Sequence, residues 1–165
     1  MFNLELLGPP EGAGERLFNW GRITLGHFQE DFQAPLYDWA AGDYEAQWME
    51  AAERLVDGAA VAVFLTHMVH QSAEYHIGWP AWREGNGIWV QERLFLATDL
   101  AGAFDPSAPE AHVGDRAERS IEGLPISQWR VSLADVAQYL DRRRNAPPPE
   151  PPAPTAPTAR ERPGR

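Results

Sequence analysis

The stretch YHIGWPAWREGNGIWVQERLFL, Tyr75–Leu96, decides the fold. Asn86-Gly87 is a strong hairpin signal, because a type I′ turn needs positive φ at both central residues. Runs dense in Trp, Ile, Val, Leu and Phe flank it. A turn centred on this dipeptide sets Glu84 opposite Trp89, Arg83 opposite Val90, Trp82 opposite Gln91 and Trp79 opposite Leu94. Alternation then places Ile77, Trp79, Ala81, Val90, Leu94 and Leu96 on a core face. Trp82, Trp89, Gln91 and Phe95 fall on the other face, which is half apolar. A hairpin apolar on both faces cannot stand alone in water, so other elements must cover it. Pro80 cannot donate to a ladder, which predicts an edge or a bulge at that point. Glu92 lies diagonal to Arg83 in this register, a cross-strand ion pair.

Before the hairpin, Ala59–Val69 is a continuous apolar run whose length and β-branched content predict a buried strand pairing with it. The segment from Tyr44 to Val56 repeats apolar residues at helical spacing (Tyr44, Trp48, Ala51, Ala52, Leu55, Val56), with Asp43 as N-cap and Gly58 just past the end. Residues 36–40 read as a short helical turn before it. Phe28, Glu30, Phe32 and Ala34 alternate against Gln29, Asp31 and Gln33, predicting two strands across 17–34 that turn near Gly26-His27. Residues 3–7 form a further short strand, and GPPEGAG at 8–14 reads as a loop.

After the hairpin, residues 97–125 are long and irregular, which marks a functional or mobile loop. A strand at 127–132 follows, then a helix capped by Ser132 with Asp135 in a capping box, its buried stripe Leu133, Val136, Ala137 and Leu140. Residues 146–165 hold eight prolines and cannot pack, so the folded domain is 1–145 and the remainder a Pro-rich disordered tail. The fold class is α+β: a single domain with an antiparallel sheet around the central hairpin, one long helix, and a C-terminal helix packed on the sheet.

The 165 residues carry a net charge of −10, and all fourteen cations are Arg. The tail is net positive by one, which leaves −11 on residues 1–145. Such a surface repels nucleic acid and anionic membranes and attracts a basic partner. The chain has no Cys, so no disulfide or thiolate chemistry. It shows no leader pattern and no apolar run of membrane-spanning length, which suits the cytoplasm. His67, His70 and His76 have a ligand-like composition, but residues three apart on a strand face opposite ways, so no metal site is expected. No phosphate-binding loop, dinucleotide fingerprint or nucleophile elbow is present, and neither an enzyme nor a small-molecule or cofactor site is indicated.

The order of signposts resembles the immunity proteins of bacterial contact-dependent growth inhibition and related polymorphic toxin systems. They are Gly21-Arg22-Ile23-Thr24-Leu25-Gly26 with Phe28, Glu30 and Phe32; Tyr44, Gln47 and Trp48 with Ala51, Arg54 and Leu55; and Trp79-Pro80 with Arg83-Glu84-Gly85. Val90-Gln91, Asp105-Pro106, Ile126-Ser127, Trp129, Val131-Ser132-Leu133 and Asp135 complete the set, which spans about residues 20–140. The resemblance implies a cytoplasmic protein that binds one cognate toxin domain, basic and in many cases a nuclease, and occludes its active site. Glu30, Asp31, Trp82, Glu84 and Gln91 are the expected toxin contacts. The other reading from sequence is a non-enzymatic interaction module whose partner the residues do not name.

Overall fold

A computed structural model describes residues 1–70 and 72–147. The predicted tail therefore lies outside the described residues, apart from its first two positions. The fold is α+β, with two antiparallel sheets where one was expected. The first holds β1 (Phe2–Glu11), β2 (Phe18–Leu25) and β3 (Phe28–Pro35) in that order. The second runs β4 (Val61–His67), β5 (Tyr75–Glu84), β6 (Gly87–Val90), β8 (Trp129–Ser132), with β7 (Arg93–Leu96) paired to the other half of β5. Helix α1 (Ala41–Asp57) joins the sheets, and α2 (Leu133–Arg144) follows β8 directly.

The hairpin is present, but its register is slipped. Trp82 pairs with Trp89, Arg83 with Ile88 and Glu84 with Gly87, so the two-residue loop is Gly85-Asn86. Gly85 carries φ +60° while Asn86 does not leave negative φ, the pattern of a type II′ turn with Gly first. Gly87 lies inside the ladder instead, opposite Glu84. A Cβ there would come within 2.7 Å of the Arg130 guanidinium, which lies across it. The slip preserves each residue's face, because it amounts to two residues, the side-chain period of a strand.

Pro80 sits in an interior strand, not at an edge. Odd-numbered β5 residues bond to β4, as Arg83 N–H does to Ala60 C=O at 2.9 Å. Even-numbered ones face β6 and β7. Gln91 N–H donates to Pro80 C=O at 3.1 Å, but Pro80 has no N–H to return. The partner strand is interrupted there, and β6 and β7 are its two halves.

The core lies between the sheets. Phe2, Leu4, Ile23, Leu25 and Ala34 on the inner face of the first sheet are buried. They meet Ala62, Phe64, Trp79, Ala81, Ile88 and Val90 of the second. Phe2 packs against Phe64 at 5.1 Å and edge-on to Tyr139 of α2 at 5.2 Å, while Phe28 stacks on Trp129 at 4.0 Å. Leu94 and Leu96, expected in this core, are 54% and 38% exposed, because the first sheet does not reach that end of the hairpin.

Helix α1 flanks β4 and closes its outer edge. Gln47 Nε2 donates to Val63 C=O at 2.7 Å and its Oε1 accepts Leu65 N–H at 3.0 Å, so the side chain stands in for a neighbouring strand. Trp48 Nε1 donates to Leu65 C=O at 2.6 Å, and the Tyr44 hydroxyl accepts Met68 N–H at 2.9 Å. The N-cap is Ala40, not Asp43. Asp43 sits one turn in and its carboxylate accepts Ala40 N–H at 2.7 Å. Residues 36–40 form bends and no helical turn. The Ser132–Asp135 capping box is present, with Asp135 N–H donating to Ser132 Oγ at 3.0 Å. In α2, Tyr139 joins Val136 and Leu140 in the buried stripe, while Leu133 and Ala137 are half-buried. Finally, β1 continues through Gly8-Pro9-Pro10, with an irregularity between Leu7 and Glu11 where the prolines cannot donate.

Candidate interaction surface

The second face of the hairpin is covered by the irregular segment 97–128, which folds over it as a strap. Phe104 packs on His76 at 4.5 Å and on Phe95 at 5.5 Å. Trp82 Nε1 donates to Gly114 C=O at 3.1 Å, and Gln91 Nε2 donates to Ala117 C=O at 2.7 Å and Gln128 Oε1 at 3.2 Å. Arg54 of α1 pairs with Glu110 and ties the strap to the helix.

At the hairpin tip the strap contributes a cation to an aromatic cluster. The Arg116 guanidinium lies 4.7 Å from the Trp89 ring centre and that of Arg130 at 5.6 Å. Trp89 Nε1 donates to Glu84 Oε2 at 3.1 Å. Arg116 reaches Glu84 and Glu118, each at 3.3 Å, and Gln128 Oε1 at 2.8 Å. Arg116 is itself mostly enclosed, at 16% exposure, whereas the Glu84 and Glu118 side chains are 54% and 69% exposed. The tip thus presents carboxylates on an aromatic base.

Three of the five expected contact residues, Trp82, Glu84 and Gln91, share this face. Only Glu84 reaches solvent: Gln91 is fully buried and Trp82 is 8% exposed, so both hold the strap in place. Glu30 and Asp31 stand on β3 and point to opposite faces. Asp31 is on the outer face, where Arg22 donates to it at 2.5 and 2.9 Å and holds its carboxyl below the usual carboxylate range. Glu30 is on the inner face, close to Glu92. Partial burial pushes the Glu92 carboxyl above its ordinary value, and the Glu30 charge adds to that. The expected ion pair between Glu92 and Arg83 is not made. Arg83 instead donates to the Leu55 and Val56 carbonyls at the C-terminus of α1, at 2.7 and 3.3 Å.

The three histidines are separated in role. His67 ends β4 and stacks on Tyr75 at 5.1 Å, His70 lies 3.9 Å from Asp38, and His76 is buried beside Phe104. Among the described residues no three His, Asp or Glu side chains gather as a metal site. Nor, among those residues, is any helix long and apolar enough to cross a membrane.

The sequence model of the CdiI N-terminal domain family matches residues 34–139, well over half of the chain. The chain belongs to that family. The CdiI match runs from the end of β3 through the strap to α2, so it contains the whole second sheet and the tip cluster. Among solved structures, the fold is similar to a chain of the "CdiA-CT/CdiI toxin and immunity complex from Enterobacter cloacae". The TM-score is 0.79 and the identity 21%, over 88% of this chain and 100% of the other. No curated protein matches it. Trp89, Arg116, Glu118, Gln128 and Arg130 belong to the tip cluster and were not among the expected contacts. Arg116 and Glu118 fall in an aperiodic loop, where no alternation assigns a face.

Proposed function

We propose that this CdiI-family chain is an immunity protein: it binds one cognate toxin domain and neutralises it by covering the toxin's active site. Membership of the CdiI family carries the reading, and the charge supports it. An excess of carboxylates over arginines suits a basic partner, since complementary fields speed encounter and disfavour wrong partners. The exposed carboxylates of Glu84 and Glu118 are fixed by Arg116 and Trp89, so they meet a partner with little further ordering. In this proposal Glu84, Glu30 and Asp31 contact the toxin, while Trp82 and Gln91 act from beneath by holding the strap. The toxin is a basic domain, a nuclease by charge, and neutralisation takes place in the cytoplasm by binding alone, without catalysis or cofactor.

The test is co-expression with the toxin domain encoded beside this chain. The pair should co-purify, and cells making the chain should survive toxin expression. Removing residues 146–165 should leave protection intact. Survival that does not depend on the chain, or a purified toxin domain that ignores it, refutes the proposal.

A further inference from the structure

The open end of the hairpin is built differently from its tip. Tyr75, Ile77, Leu94 and Leu96 share the face that elsewhere carries Trp79 and Ala81. Tyr75 is 40% exposed there, beside the two exposed leucines. Ala97 N–H donates to Glu74 C=O at 2.9 Å, which fixes the ladder phase. Arg93 and Phe95 exchange bonds with β5, so the N–H and C=O groups of Leu94 and Leu96 point away from it. Among the described residues no strand pairs with that side of β7.

Two of the other edges are closed. Gln47, Trp48 and Tyr44 occupy that of β4, and β1 is protected by Pro9, Pro10 and Arg142, which donates to Phe2 C=O at 2.8 Å. The β7 edge carries neither proline nor lysine. An open edge with exposed leucines is a template for strand addition. Glu92 precedes the leucines on the same face, with Glu30 close by. Neither has an ion-pair partner among the described residues.

We propose that an extended basic segment of the cognate toxin adds to the free edge of β7. Its main chain pairs with Leu94 and Leu96, its apolar side chains rest on Leu94, Leu96 and Tyr75, and a cationic side chain reaches Glu30 and Glu92. This inference rests on the immunity reading. A second copy of the chain fits the edge poorly, because the same carboxylates would be brought toward one another. The chain's own tail fits poorly too, since its prolines lack the donors that a strand needs.

The experiment uses the full chain with the toxin domain encoded beside it. Leu94→Pro removes an N–H that points away from β5 and pairs with no strand among the described residues, together with a half-exposed side chain. The monomer should therefore keep its melting temperature, while toxin affinity should fall about 100-fold. Leu96→Asn, which leaves the backbone intact, should weaken binding at least about tenfold. In the wild-type complex the Leu94 and Leu96 amides should exchange far more slowly than in the free chain. Wild-type affinity in both variants, or unchanged exchange at those amides, overturns the inference and leaves the immunity reading standing. Slow exchange that appears without toxin and grows with protein concentration assigns the edge to a second copy and overturns it as well. A wild-type chain that neither binds nor protects removes the immunity reading, and this inference with it.

Discussion

Pro80 and Gln91 face each other across the central hairpin and make one hydrogen bond of the two that an antiparallel pair would exchange. The missing donor falls where the partner strand divides into β6 and β7, and alternation turns the Gln91 side chain to the strap face. There it bonds Ala117 and Gln128, and Gln128 also accepts from Arg116. Gln91 thus connects the strand break to the base of the hairpin tip.

Gln91→Leu should lower the unfolding free energy by about 0.5–1.5 kcal/mol, the loss of the bond to the half-buried Ala117 carbonyl, while Gln128 Oε1 keeps Arg116 as a donor. Urea unfolding measures it. Limited proteolysis should show earlier cleavage between residues 97 and 128, because the strap loses an anchor. A loss of stability without that earlier cleavage would mean that Gln91 does not hold the strap.

Gln47→Leu removes both bonds that close the β4 edge, at Val63 C=O and Leu65 N–H. The expected cost is about 2–4 kcal/mol, since two buried main-chain groups lose their partners. The exposed counterpart Gln29→Leu should change stability by less than about 0.5 kcal/mol. Equal effects of the two changes would refute the edge-closing role.

How much of this was readable beforehand follows from what each signal depends on. Local signals held: the Gly26-His27 turn, the helical spacing from Tyr44 to Leu55, and the Ser132–Asp135 cap involve residues near in sequence. The hairpin turn was ambiguous, because Gly85-Asn86 and Asn86-Gly87 each place glycine beside asparagine. In the fold Gly87 enters the ladder and pairs with Ser132, on a strand more than forty residues later. Leu94 and Leu96 alternate correctly with Trp79, yet whether that face is covered depends on how far the first sheet extends. For the candidate surface, Glu84 could be placed from the hairpin alone. Arg116 could not, because it lies in a segment without periodicity.

Arg116→Ala should loosen the tip without unfolding the chain. Trp89 loses its nearer cation, and Glu84 and Glu118 lose their shared arginine. Cation–π contacts of this kind contribute about 0.5–1 kcal/mol, so the stability change should stay near that size. Toxin association should slow or accelerate measurably as the two carboxylates reorient, and the effect should shrink in high salt. A double-mutant cycle with Trp89→Leu isolates the contact, and a coupling energy indistinguishable from zero would refute it.

Glu92 yields a pH dependence of defined sign. Its carboxyl titrates above the ordinary value of 4.5 in the fold, because of partial burial first and the Glu30 charge second. Between the ordinary and the raised pKa the folded chain binds more protons than the unfolded one. The group therefore subtracts stability as pH rises through that window and subtracts nothing once pH has fallen below it. Glu92→Gln should raise the melting temperature at neutral pH, and the gap from wild type should close in acid. Asp31, held below its ordinary value chiefly by the Arg22 hydrogen bond, acts in the opposite direction. Its stabilisation is present above the ordinary pKa and is lost as pH falls, so Asp31→Asn should cost stability at neutral pH and converge with wild type in strong acid. Melting curves of both variants across the same pH series separate the two groups. A Glu92→Gln chain less stable than wild type at neutral pH would mean that Glu92 has a cationic partner in solution.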